Sequence, residues 1–329
     1  MNKRDKPYAG LSPDTVLCAL ESAGFRPDGG MLALNSYENR VYQIGIEDSL
    51  PLVAKFYRPA RWNDATILEE HSFSLSLAEE EIPVVAPLLS SSGETLHRHQ
   101  DYRFSLFPRQ GGRWPELDNP DNQVWIGRFL GRIHLHGAAQ PFAHRPSIDP
   151  KTIGPESSGY LLENDYIPVE FASNYRQLCA ELQCLIEEKF DEIPDCRWIR
   201  LHGDCHPGNI LWTEQGPHFV DMDDCRMGPA IQDLWMLLSG DTRDMALQLS
   251  YLREGYEMFR ELDTREIALI EPLRTLRMIY YAAWLARRWN DPAFPVAFPW
   301  FNSTQYWQEH LSLLTQQKSA LQQPALPLY

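Results

Sequence analysis

A chain of 329 residues that is 43% hydrophobic and 12% aromatic can bury a sizeable core in one large domain or two, and holds no apolar run of the roughly 18 residues a membrane helix needs. A formal charge of −15 argues against broad electrostatic binding to nucleic acid, which needs a basic surface, although a local basic cleft stays compatible with it. Six scattered cysteines without a C-x-x-C pair argue against zinc and against a disulfide framework, and fit free thiols in a reducing cytoplasm.

The opening "MNKRDKPYAG" is charged and no apolar stretch follows it, so no secretory leader is expected. "SPDTVLCALESAG" predicts a helix, with Ser12 as N-cap, Pro13 at the first helical position and Gly24 to end it. "MLALNS", "RVYQIGIE" and "PLVAKFYRP" are short, partly alternating and separated by turn residues, which predicts three antiparallel strands. "NDATILEEHSFSLSLAEEE" returns to helical spacing, with Ile67, Leu68, Phe73, Leu75 and Leu77 as its apolar set. "VVAPLLS" and a hairpin over "ETLHRHQDYRFSLFP" then complete a small sheet crossed by one helix. "PRQGGRWP" is a turn-rich break and a candidate hinge.

Beyond it the chain reads as mostly helical. "NQVWIGRFLGRIHLHG" carries Val124, Ile126, Phe129, Leu130 and Ile133 on a broad apolar face, which makes it a core helix. "DLWMLLSG", "EIALIEPLRTLRMIYYAAWLARRW" and "YWQEHLSLLTQQKSALQQ" predict three more helices. Among them "NILWT" and "PHFVDMD" are the strong strand signals, joined by the turn "EQGP". No internal repeat or low-complexity tract is present. The expected organisation is an N-terminal β-rich lobe at 1–107, a hinge at 108–113 and a helical lobe at 114–329.

Paired antiparallel, those two strands would bring Asn209 and Asp221 together at the open end of a hairpin, with Asp204 on the loop just upstream. Oxygen ligands without thiolates suit Mg²⁺, which takes one or two protein ligands plus phosphate oxygens. Asp221 and Asp223 would repel a bare polyphosphate, since two unit charges about 4 Å apart repel by roughly 4 kcal/mol at an effective dielectric near 20. A divalent cation between carboxylate and phosphate reverses that sign. His202-x-Asp204, followed after four residues by Asn209, has the spacing of a kinase catalytic loop, and Asp221 stands where the metal-binding aspartate of the next kinase motif belongs. Lys55 in "LVAKFY" matches the strand lysine that holds nucleotide phosphates, and Glu70 on the following helix is its ion-pair partner, with Glu69 the alternative.

"HGDCHPGN" resembles the motif of the aminoglycoside phosphotransferase and choline kinase branch of the protein-kinase-like fold. "LNSYENRVYQ", "AKFYRP", "ILEEH", "LHGDCHPGNILW", "FVDMDD", "DLWMLL" and "DPAFP" together resemble the bacterial stress response kinase A family across nearly the whole chain. The resemblance implies an α+β, bilobal fold and a cytoplasmic serine/threonine protein kinase that uses ATP and Mg²⁺ and counters stress-induced cell death. It implies Asp204 as proton acceptor, Asn209 and Asp221 as Mg²⁺ ligands with Asp223 assisting, and Ser36 in contact with the nucleotide phosphates. Two departures from ordinary protein kinases stand out. "LNSYENRV" replaces the glycine-rich loop, so Asn35, Ser36 and Asn39 must supply what glycine backbone does elsewhere. Gly203 replaces an arginine, so a phosphorylated activation loop has no obvious local partner and activity is expected not to require one.

Plainer readings compete at several positions. Asp204, Asn209 and Ser36 are all ordinary turn residues, and a strand lysine such as Lys55 is ordinarily a solvated charge. His202 is expected to pack under the loop and bond backbone; the rival is ligation in a metallohydrolase, which would need an upstream Asp-x-His that is missing from the sequence. Asp233 is either a helix N-cap or a brace for the catalytic loop, and Cys205 and Cys225 read as small buried hydrophobes. The aromatic run "RRWNDPAFPVAFPWFNSTQYW" is read mainly as cover for the helical core. Rival functions are a small-molecule kinase of the aminoglycoside, choline or homoserine kinase type, and an ATP-binding scaffold without turnover. No nucleic-acid or membrane partner is expected, and a monomer is taken as the default.

Overall fold

The computed structural model describes residues 7–328, so the charged opening segment 1–6 lies outside the described residues. The fold is α+β and bilobal, as expected. Helix α1 (Pro13–Ser22) starts where the Ser12 side chain accepts the Thr15 N–H, and the chain leaves it through Gly24 at φ +90°. Its buried face, Val16, Ala19 and Leu20, packs on one side of an antiparallel sheet. That sheet comprises β1 (Pro27–Ala33), β2 (Arg40–Ile46), β3 (Leu52–Phe56), β4 (His97–His99) and β5 (Tyr102–Pro108), in the order β1-β2-β3-β5-β4. β1 begins before the predicted segment, because a bulge between Pro27 and Met31, with Gly29 at φ +89°, lets the chain enter the sheet early. In the middle of the sheet Lys55 is flanked by Val41 on β2 and Ser105 on β5.

Helix α2 (Asp64–Glu79) is capped by the Asn63 side chain, which accepts the Thr66 N–H at 2.9 Å. Its buried side chains include Ile67, Phe73 and Leu77, but also Glu70, His71 and Ser74, while Leu68 is exposed. The weak apolar periodicity thus has a cause: polar side chains with buried partners occupy the inward face. "VVAPLLS" does not join the sheet. Val84 forms a single parallel bridge with Phe219, and the Leu88 N–H reaches Leu106 O at 2.7 Å, so the segment runs between the two lobes. Pro87, lacking an N–H, is poorly suited to a continuous ladder there.

The linker after β5 is tied down by a second bridge, Arg113 to Trp212, with N–H to O distances of 3.0 and 2.7 Å. The helical part contains α3 (Pro120–Gly137), α4 (Pro150–Glu163), α5 (Val169–Asp191), α6 (Ile231–Trp235), α7 (Thr242–Tyr256), α8 (Ile270–Arg287), α9 (Ala293–Ala297) and α10 (Thr304–Leu321). Pro272 is accommodated in the first turn of α8, where backbone N–H groups have no intrahelical partner. α3 and α7 approach closely: a Cβ on Gly127 would sit 1.9 Å from Leu252 O.

Two short ladders cross this lobe. β6 (Ile199–Leu201) pairs with β9 (Arg226–Gly228), and β7 (Ile210–Thr213) pairs with β8 (Gly216–Phe219). One core of buried residues lies beneath the ladders and gathers Leu201, Cys205, Ile210, Phe219, Met222 and Cys225 with α3 and α7. A second joins α5, α8 and α10, and it takes Phe294, Phe301 and Trp307 from the aromatic run, which is therefore largely core cover.

Candidate active site

The β7–β8 hairpin forms with the expected register. Ile210 faces Phe219, and beyond that pair the Val220 N–H donates to Asn209 O at 3.0 Å, which sets Asp221 one residue past the partner of Asn209. The reversal is a tight turn over Glu214 and Gln215 that ends at Gly216 (φ +100°). Asp221 itself is left-handed (φ 58°, ψ 60°), a conformation that costs a non-glycine residue about 1–2 kcal/mol.

The loop 202–209 is fixed from below. His202 and Gly203 each donate a backbone N–H at 2.8 Å to the Asp233 carboxylate, which also takes the ring N–H of His134 at 3.0 Å. Burial pushes the Asp233 carboxyl up, but the bond from His134 and the neighbouring charges and N–H outweigh it and hold it below the usual range. Asp233 is thus the brace and not an N-cap; Ala230 stands at the cap of α6. The buried His202 ring bonds Val220 O at 2.9 Å, tying the loop to the strand before Asp221. Gly203 is left-handed (φ +83°), and a Cβ there would lie 2.3 Å from Asp224 O, so no larger residue fits. Cys205 and Cys225 are fully buried, and burial pushes both thiols up.

Asp204 and Asn209 meet within this loop, the Asn209 amide N–H donating to Asp204 O at 3.0 Å. Asp204 Oδ1 accepts from Arg277 of α8 at 2.6 Å, and Oδ2 lies 3.6 Å from His206 Nε2. Lys55 is buried with Nζ 2.9 Å from Asp221 Oδ1, 3.3 Å from Asp223 Oδ1 and 3.9 Å from Glu70 Oε1. Burial opposes its charge, but these three carboxylates raise its pKa well above the usual lysine value. Burial lifts the Glu70 carboxyl to about 7 against the pull of Lys55.

The choice between Glu69 and Glu70 is decided by helix phase. Glu70 points inward to Lys55, whereas Glu69 accepts the backbone N–H groups of Ala143, His144 and Arg145 at 2.6, 2.7 and 2.8 Å. Asp223 is enclosed: besides Lys55 it pairs with Arg61 and accepts the Asn39 amide at 3.1 Å. Burial pushes its carboxyl up, yet Arg61 and Lys55 prevail and hold it at about 2. Ser36 lies in the β1–β2 loop, which reaches this cluster through Asn39, and the adjoining Tyr37 ring packs on Phe298 at 4.8 Å between centroids.

Several participants carry no local sequence signal. Arg61, Arg145 and Arg277 look like ordinary surface arginines, and their partners stand 162, 78 and 73 positions away. Glu38 likewise gathers Arg58, Arg61, Arg288 and the Trp284 indole, joining the β1–β2 loop to the end of α8.

Hard oxygen donors remain at the hairpin mouth. Among the described residues the Asn209 side-chain Oδ1 takes no hydrogen bond, and the Asp221 side chain is 51% exposed with one oxygen not engaged by Lys55. No three His, Cys, Asp or Glu side chains among the described residues form a metal cage. The donor set fits a cation that shares its ligation with phosphate oxygens, such as Mg²⁺. No helix among the described residues is long and apolar enough to cross a membrane.

Residues 31–270 match the phosphotransferase enzyme family, APH. The chain is 47% identical over 328 residues to "Stress response kinase A" of Escherichia coli O157:H7, covering all of this chain and 99% of that one. It is 46% identical over 328 residues, with the same coverage, to "Serine/threonine protein kinase RdoA" of Salmonella typhimurium. Among solved structures it is similar to an amicoumacin kinase in complex with AMP-PNP and Ca²⁺ (TM-score 0.70, 18% identity, 96% of each chain). A microcompartment-associated aminopropanol kinase is alike at a TM-score of 0.71 and 20% identity, over 96% of this chain and all of that one.

Proposed function

The chain belongs to the phosphotransferase enzyme family and, within it, to the stress response kinases, and from that premise we propose that it is an ATP- and Mg²⁺-dependent serine/threonine protein kinase. The observation that carries the reading is the meeting of Asp204, Asn209, Asp221 and Lys55 at the mouth of one hairpin. The protein acceptor is further supported by the name of the 46% identical Salmonella relative.

In this reading Asp204 orients the acceptor hydroxyl and takes its proton as the oxygen bonds to the γ-phosphorus of ATP and the bond to ADP breaks. Lys55, steadied by Glu70, holds the nucleotide phosphates, with Ser36 contributing from the β1–β2 loop. Asn209 and Asp221 would hold Mg²⁺, which when bound neutralises phosphate charge. We assign Asp223 to the ion-pair network that positions Lys55 and Arg61, and not to the metal, because its carboxylate is enclosed by both cations. We assign residues 108–113 to the hinge between an N-terminal lobe at 1–107 and a helical lobe at 114–329, with Pro108 also closing β5.

The test is transfer of label from ATP, with Mg²⁺ present, to generic protein substrates and to a panel of small alcohols. Asp204→Asn should lower transfer to protein by about 10²–10⁴-fold. Undiminished transfer by that variant would overturn the assignment of Asp204, and label that appears on alcohols alone would overturn the protein acceptor.

A further inference from the structure

Arg277, Tyr281 and Trp284 of α8 and Arg288 at its C-cap follow one another at intervals of four, three and four, so they lie along one side of the helix. At one end Arg277 Nη1 donates to Asp204 Oδ1 at 2.6 Å. At the other, Trp284 Nε1 donates to Glu38 Oε2 at 2.7 Å and Arg288 pairs with the same carboxylate. The stripe therefore runs from the catalytic loop to the β1–β2 loop, and Tyr281, 40% exposed, lies open between them. This is a wall of the space that an acceptor must enter to reach Asp204.

The charges on this wall are unequal. Three carboxylates touch it or its neighbours, and each is already matched: Asp204 by Arg277, Glu38 by Arg58, Arg61 and Arg288, and Asp291 by Arg40 and Arg58. Among the described residues, then, an ammonium-bearing acceptor would compete at each of these carboxylates with a cation already in place. Arg277 is different. It has five N–H donors, of which Nη1 bonds Asp204, and a side chain 40% exposed, so donors remain accessible to an incoming anion. A guanidinium fork matches a carboxylate or phosphate in shape as well as in charge. It also occupies Oδ1 of the proton acceptor, leaving Oδ2 for the incoming hydroxyl, which brings any group beside that hydroxyl close to Arg277.

We propose that Arg277 selects the phosphoryl acceptor by charge, favouring a hydroxyl set beside an anionic group and disfavouring one set beside an ammonium or guanidinium. The inference rests on the assignment of Asp204 as proton acceptor and refines the acceptor class of that same site.

Two matched pairs of acceptors test it: seryl peptides flanked by acidic or by basic residues, and a hydroxy acid beside an amino alcohol. The readout is the ratio of kcat/KM within each pair, which does not depend on how much of a variant is folded. The wild-type protein should prefer the acidic peptide by about tenfold. Arg277→Lys should keep that preference, Arg277→Gln should bring the ratio near one, and Arg277→Glu should reverse it. A wild-type preference for the basic peptide, or a ratio unmoved by Arg277→Glu, overturns the inference. If peptides take no label and alcohols do, the protein-kinase reading falls while the alcohol ratio still decides the role of Arg277. If neither pair takes label, both fall.

Discussion

The Trp284 indole N–H donates to Glu38 Oε2 at 2.7 Å across 246 positions of chain, and so fastens the β1–β2 loop of the small lobe to α8 of the large one. Arg58, Arg61 and Arg288 converge on the same carboxylate. Hydrogen bonds to charged groups in such settings contribute about 1.5–3 kcal/mol. Trp284→Phe keeps the ring among Phe294 and Phe298 but removes the donor. We expect a several-fold rise in KM for ATP with a smaller change in kcat. Glu38→Gln should act in the same direction and more strongly, since it leaves three arginines short of an anion. Titration with a fluorescent nucleotide analogue and steady-state kinetics measure both.

Glu69 and Glu70 are neighbours with separable roles. Glu70→Gln should lower kcat/KM for ATP by about tenfold or more through Lys55, with a modest effect on unfolding. Glu69→Gln should cost about 1–2 kcal/mol of stability, because its carboxylate receives three backbone N–H groups, while leaving kcat closer to the parent value. Equal kinetic losses in the two variants would show that the helix phase described above does not govern function.

Asp233 braces the loop 202–209 from beneath. Asp233→Ala strips the acceptor from the N–H groups of His202 and Gly203 and from His134, all buried, and should destabilise the fold by about 3–5 kcal/mol. Asp233→Asn keeps the shape and one acceptor and should fall between. Denaturant unfolding of the three proteins gives the order; an alanine variant as stable as the parent would contradict it.

Gly203 leaves no room for the arginine that many protein kinases carry at this point, since Asp224 O would touch its Cβ. Activity should therefore survive exhaustive phosphatase treatment. Gly203→Arg should lose activity through displacement of the loop, and should not gain a dependence on phosphorylation. Kinase assays before and after dephosphorylation, with mass measurement of the protein, check this.

Burial lifts the Glu266 carboxyl from its ordinary 4.5 to about 7, against the pull of the Ile231 N–H that it accepts at 3.0 Å. The folded protein thus binds this proton more tightly than the unfolded chain. The resulting stability is whole below about pH 4.5 and is lost as pH rises through about 7. Glu266→Gln retains an acceptor for Ile231 and cannot ionise. Between about pH 5 and about pH 8 the parent should lose on the order of 2 kcal/mol relative to that variant. Urea unfolding at both pH values reads the difference directly.

Much of the architecture could be read along the chain because local chemistry produced it. Ser12 and Asn63 cap α1 and α2 with their own side chains, and alternating apolar residues pair β2 with β3 and β7 with β8. α4, α5 and α7 fall outside the predicted helices, and "VVAPLLS" reads as a strand of the sheet because its residues favour strands. In the folded chain its backbone partners are Phe219 and Leu106 in different lobes, so it joins neither ladder. At the site, Asp204, Asn209 and Asp221 were legible because a hairpin of fixed register brings them together over a few positions.

The motif residues lie in local segments whose conformation short-range hydrogen bonding and turn chemistry dictate, and that is why order along the chain sufficed for the hairpin and its loop. Choosing Glu70 over Glu69 required knowing which face of α2 turns inward, and enclosing Asp223 between Lys55 and Arg61 required the two lobes to be packed against each other. The same holds for Arg277 at Asp204. Electrostatic attraction acts through space and not along the backbone, so a pairing across 73 or 162 positions leaves no trace in sequence spacing and exists only once the cores beneath have set the distance.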